Sequence, residues 1–102
     1  MSDEAVFYRT FMEDVRACAG ARGGAYVLEI DHRIRLALSS SPRHRDARWA
    51  RVVAAVTKLL TALDRNVPAA ARLHAFVHEN ADLVLSLHPK RRVRIARRVA
   101  RF

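Results

Sequence analysis

Residues 25–38, AYVLEIDHRIRLAL, decide whether this chain is all-helical or mixed, because two periodicities run through them at once. Tyr26, Leu28, Ile30, His32, Ile34, Leu36 and Leu38 occupy alternate positions, the period of a strand, while Val27, Ile30, Ile34 and Leu38 form a helical stripe. Two features favour the helix. Glu29 precedes Arg33, and Asp31 precedes Arg35, by four residues, the order in which an acid and a base support a helix. A strand of this length would also need a second strand, and the chain offers none. The segment is expected to be helical, which leaves Leu28 and Leu36 off its apolar stripe.

Downstream, ARWARVVAAVTKLLTALDR (Ala47–Arg65) has two faces with different demands. Trp49, Val52, Val53, Val56, Leu59, Leu60 and Leu63 recur every three or four residues and make one broad apolar stripe, a core or dimer seam. Arg48, Arg51, Ala55, Lys58, Ala62 and Arg65 recur at the same spacing and make a basic ridge roughly 25 Å long at about 1.5 Å per residue. Alanines fill its gaps, Thr57 and Thr61 flank it with hydroxyls suited to phosphate or ribose, and no glutamate lies between Arg48 and Leu63. Pro42 stops any helix running on from residue 38, so this helix is expected to begin at Arg43 or at Ala47.

Upstream, Ser2, Asp3 and Glu4 suit a helix N-terminus, and Val6, Phe7, Phe11, Met12, Val15 and Cys18 continue as an amphipathic helix over residues 3–19. Tyr8, Arg9 and Arg16 fall on its solvent side, and Gly20, Gly23 and Gly24 end it. Beyond the corner at Asn66, Val67 and Pro68, a further helix is expected from Ala69 to Leu87, with Ala70, Leu73, Phe76, Val77, Val84 and Leu87 facing the core and Asn80 as a polar interruption. After Pro89 the tail KRRVRIARRVARF carries seven basic residues and no acid. The expectation is a single all-α domain over residues 1–102 with a basic segment at 89–102: a small helical hairpin or bundle, completed by homodimerisation into a four-helix-bundle-like dimer. A chain of 102 residues buries only a modest share of its surface alone, which favours pairing.

Charge narrows the partners. The net charge is +9, with seventeen arginines against two lysines, and arginine forks onto phosphate bidentately. GC-rich coding also inflates arginine and alanine, so this bias counts as a footprint only where the arginines cluster. The lone Cys18 lies in an apolar pattern and fits a buried thiol. No apolar run approaches the ~20 residues of a membrane span, and the acidic MSDEAVF start is unlike a signal peptide, so a soluble cytoplasmic protein is expected. His74 and His78 are spaced to share a metal but lack a third ligand, while His32, His44 and His88 are scattered. Neither a phosphate-binding glycine loop nor a nucleophile set can be assembled, so no enzyme, metal or cofactor is expected.

The run Val56-Thr57-Lys58-Leu59-Leu60-Thr61-Ala62-Leu63, followed by Pro68 and an alanine-rich stretch, resembles the core motif of the nodavirus RNA-silencing suppressors. That motif reads aliphatic, hydroxyl, Arg, two aliphatics, hydroxyl, small, Leu, then a Pro-led helix, and the resemblance lies mainly over residues 48–73. It implies an all-α homodimer that lies along double-stranded RNA without sequence preference, shielding long duplexes and sequestering short ones in the host cytoplasm. Lys58 takes the place of the family's key basic residue, Arg51 falls where the family has another, and Arg48, Thr57 and Thr61 lie close by. Val67 before Pro68, the glycine-rich corner and the basic tail depart from the pattern, leaving Arg91 to Arg101 outside the carry-over. The alternative is a non-enzymatic helical protein-interaction module, or a generic basic DNA-binding protein.

Overall fold

The computed structural model describes residues 3–63 and 67–82, and all its regular structure there is helical: α1 (Asp3–Ala19), α2 (Gly24–Leu38), α3 (Pro42–Ala62) and α4 (Pro68–Glu79). The helical reading of residues 25–38 therefore holds. Ile30, Ile34 and Ala37 are fully buried, whereas Leu28 is 73% exposed, as a helical stripe requires and an alternating strand does not.

Each boundary has a local cause. Asp3 and Glu4 place carboxylates in the first turn of α1, where the backbone amides are unpaired. Gly20 ends α1 with φ of 61°, a left-handed conformation that glycine adopts without steric cost. Gly23 meets a different constraint: a Cβ there would stand 2.5 Å from the Ala19 Cβ and 2.6 Å from the Ala19 carbonyl oxygen. Gly24 has open space around it. Pro42 and Pro68 each occupy the first turn of a helix, where a missing N–H costs nothing, so α3 starts at the proline itself and takes in Arg43 to Asp46.

α4 takes in the first part of the stripe from Ala69 to Leu87; beyond Asn80 helix resumes at residues 81–82, and residues 83–87 lie outside the described residues. α4 closes at Glu79, with Asn80 donating both its backbone N–H and its Nδ2 to the Phe76 carbonyl, at 3.2 and 2.8 Å. A short polar side chain that bonds the preceding turn stops a helix more readily than it continues one. Val84, Leu87, Arg65 and the basic tail lie outside the described residues.

The helices touch in a ring, α1 against α2, α2 against α3, α3 against α4 and α4 against α1, with a smaller diagonal contact between α1 and α3. This four-helix closure occurs within one chain. The α3 stripe is consequently core: Val52, Val56 and Leu59 have no exposed surface, Val53 and Leu60 are buried, and Trp49 and Leu63 are partly covered. A seam offered to a second copy was one expectation for these residues, but α1, α2 and α4 already cover it. Phe11, Met12, Val15, Ile30, Ile34 and Leu73 complete the core. Cys18 is 1% exposed, the buried thiol expected.

Aromatic and charged contacts fix the ring. Trp49 meets Phe7 edge-on at 5.9 Å, Phe7 stacks on Phe11 at 5.6 Å, and Phe11 meets Phe76 edge-on at 4.9 Å, so one aromatic row joins α3, α1 and α4. Arg72 of α4 forks onto Asp14 of α1 through Nε and Nη2, at 3.1 and 2.8 Å. Tyr8 is not on a solvated face as its position in α1 suggests: its hydroxyl donates to Asp31, and Arg35 of α2 donates to that hydroxyl at 3.1 to 3.2 Å while lying over the ring. The hydrogen bond to Tyr8, then the charge of Asp31, raise the Arg35 guanidinium above its ordinary value, and the hydrogen bond to Asp14, then its charge, do the same for Arg72. A raised basic group contributes fully below its unfolded value and loses its effect only above its folded one, so neither guanidinium introduces pH dependence near neutrality.

The two neighbouring glycines separate by mutation. Gly23→Ala is expected to lower stability by about 1–3 kcal/mol through overpacking against Ala19, whereas Gly24→Ala, in a helix with open space, is expected to raise it by about 0.5–1 kcal/mol. Urea unfolding monitored by circular dichroism checks both, and equal effects would contradict the packing described.

Candidate nucleic-acid interface

The basic ridge of α3 exists only in part, because the helix is covered over a wider arc than its apolar stripe suggests. Ala55, placed on the ridge by spacing, is 3% exposed and belongs to the core. Arg48 is half-buried and committed to the α2–α3 corner. Its Nη1 donates to Ser40 Oγ at 2.9 Å and to the Leu36 carbonyl at 3.3 Å. That same carbonyl accepts from Ser39 Oγ at 3.2 Å and from Ser40 Oγ at 2.6 Å. Three side chains thus satisfy one carbonyl at the end of α2, where the helix itself supplies no donor. Arg48 is a clamp of the fold.

Beyond its exposed first residues 42–46, α3 presents Arg51, Ala54, Lys58, Thr61 and Ala62 to solvent, together with Thr57 on an adjacent strip. Arg51 and Lys58 stand seven residues apart, about two turns or ~10 Å along the axis, with exposed alanines between and beyond them. The two threonine hydroxyls donate to carbonyls one turn back, Thr57 to Val53 and Thr61 to Thr57, each at 2.8 Å. Their protons are committed within the helix, so they approach a ligand as acceptors only. Arg65 falls outside the described residues.

Packing α2 beside α3 adds to the face what α3 alone does not supply. Lys58 Nζ lies 3.7 Å from Glu29 Oε1, and Arg48 reaches Leu36 and Ser40, so the two helices run antiparallel with residue 29 level with 58 and residue 36 near 51. Arg33, one turn beyond Glu29 along the same edge of α2 and half-exposed, therefore comes level with the stretch between Arg51 and Lys58. Spacing within α2 pairs Glu29 with Arg33 and marks neither as a member of this face. Only the register between the helices brings them there, and no local pattern carries it.

The face thus combines Arg33, Arg51 and Lys58 on an alanine floor with one acid, Glu29, beside Lys58. Both members of that pair are substantially exposed, with side chains 67% and 36% accessible for Lys58 and Glu29, and such ion pairs are worth about 0–1 kcal/mol. The pair exchanges for a stronger anion at little cost.

A concavity of about 320 Å³ lies where α1, α2 and α3 meet, lined by Asp3, Glu4 and Phe7, by Ala37 and Leu38, and by Arg45 and Trp49. Its polar groups are two carboxylates and a guanidinium over an aromatic floor. Among the described residues no group of three or more His, Cys, Asp or Glu side chains converges as metal ligands, and His74 and His78 are both exposed on α4. Among the same residues, no helix is long and apolar enough to cross a membrane.

Arg48 and Arg51 are therefore expected to behave differently although one turn apart. Arg48→Ala should lower folding stability by about 1 kcal/mol by leaving the Leu36 and Ser40 acceptors short of a donor, whereas Arg51→Ala should stay within about 0.5 kcal/mol of wild type. Thermal and urea unfolding of the two variants decide it. Comparison of the chain with protein families, with curated proteins and with solved structures gives no match.

Proposed function

We propose that the protein binds double-stranded RNA without sequence preference through the outer face of the α2–α3 pair, with Arg33, Arg51 and Lys58 as its phosphate contacts. The observation that supports this reading is the exposure of Arg51 and Lys58 two turns apart over small side chains, on a chain of net charge +9. A-form RNA conceals its bases in a deep, narrow major groove, so a protein recognises the duplex by shape, phosphate and 2′-hydroxyl. A straight, low-profile helical face bearing arginine and lysine suits that task, and it needs none of the base-reading side chains of a sequence-specific protein.

The resemblance of residues 48–73 to the nodavirus suppressors extends the reading to biology: shielding long duplexes from dicing and sequestering short ones in the host cytoplasm. A homodimer belongs to the same proposal, since two copies related by a two-fold would double the face. Because the apolar side of α3 is covered within its own chain, such a pair would join through other surface. The groove at Phe7 and Trp49 favours the alternative of a protein-interaction module, under which polyanion binding is weak, lost near physiological salt and indifferent to duplex type.

Gel shifts with random-sequence double-stranded RNA, single-stranded RNA, double-stranded DNA and an RNA–DNA hybrid at ~150 mM salt separate the readings. Preference for duplex RNA is expected, and equal binding to all would reduce the interaction to generic charge. Arg51→Ala and Lys58→Ala should each weaken duplex RNA binding about fivefold for every sequence and lower the salt slope by about one. Wild-type affinity in both variants, with folding intact, would remove the function assigned to this face.

A further inference from the structure

Glu29 is the feature of the α2–α3 face that phosphate binding alone does not use. Its Oε1 stands 3.7 Å from Lys58 Nζ, beyond hydrogen-bonding distance, so the carboxylate retains its lone pairs and the ammonium its protons. The Glu29 side chain is 36% exposed and that of Lys58 67%, so both charged groups are open to a ligand. A ligand settling here meets a cation and an acceptor side by side. Phosphate by itself satisfies Lys58 and is repelled by Glu29. A backbone that presents phosphate next to a hydroxyl donor satisfies both, and ribose supplies that donor where deoxyribose does not. Thr61, one turn beyond Lys58, has its proton committed to the Thr57 carbonyl and likewise offers only lone pairs.

We propose that Glu29 selects ribose over deoxyribose on this face, accepting a hydrogen bond from a 2′-hydroxyl while Lys58 holds a neighbouring phosphate. The inference rests on the duplex-RNA reading above. It makes the one acid of the face a determinant of specificity: without the hydroxyl, the carboxylate confronts the backbone charge with no donor between them.

The test compares the intact chain with its Glu29→Ala variant, a change that a half-exposed helical position accommodates. Fluorescence anisotropy at ~150 mM salt would measure affinity for an RNA duplex and for the same duplex with 2′-fluoro sugars, which keep the A-form and the phosphates and lack the donor. Wild type is expected to bind the 2′-fluoro duplex about tenfold more weakly than RNA, and Glu29→Ala to bring that ratio to about one to two. A wild-type ratio near one, or a ratio that Glu29→Ala leaves unchanged, would overturn the assignment to Glu29 while leaving duplex binding in place. Failure of the wild type to bind either duplex would overturn the duplex-RNA reading and this inference with it.

Discussion

Everything in this molecule depends on how far around its circumference α3 is covered. Ala55 on one flank and Ala50 and Val53 on the other are as buried as the central Val52, Val56 and Leu59, because α2 and α4 pack on either side while α1 touches across the ring. Small residues at the margins permit that approach: an alanine at position 55 lets α2 come close where a longer side chain would hold it away. The covered arc then determines what remains for function. A narrow exposed strip is left, and whatever projects from it is surrounded by backbone and methyl groups instead of competing long side chains.

Much of the architecture was legible in the residues. The α1 boundaries, the Pro68-led start of α4 and the core positions of α3 follow from spacing and from the chemistry of caps, since those signals are local and cumulative, whereas Pro42, expected only to stop a helix, opens α3. The choice of helix for residues 25–38 turned on the order of acid and base, and Asp31 with Arg35 does form the expected pair, at 3.2 Å. Glu29 does not stay within its helix and reaches Lys58. The phase of Ala55, the engagement of Arg48 with the end of α2, the covering of the α3 stripe inside one chain and the departure of Tyr8 from solvent were not legible. All four depend on which helix lies beside which, and pairwise spacing along one helix contains no term for that.

Charge shows the same division between local and tertiary information. A window along α3 contains no acid to offset Arg51 and Lys58, and on that basis the face reads as uniformly positive. In space an acid arrives from α2, and Arg48, one of the five arginine and lysine side chains of α3, is withdrawn to satisfy a helix end while Arg33 of α2 comes level with Arg51 and Lys58. The arginines of this chain thus divide between tasks. Arg35, Arg48 and Arg72 tie helices together through forked or multiple bonds, and the planar guanidinium performs that task better than an ammonium would. A high arginine content is therefore an architectural device as much as an electrostatic one.

The closure of the ring has a consequence for how the chain comes into being. Neighbouring helices along the sequence make most of the ring, and those contacts form over short loops that cost little entropy. The join between α1 and α4 is different, since Arg72 and Asp14 are separated by 58 residues. During synthesis the first three helices emerge before α4, with Phe11 lacking the ring of Phe76 and Asp14 lacking its guanidinium. The order of translation thus leaves an unfinished apolar edge until the end of α4 has left the ribosome, and the final docking step is the one that seals it.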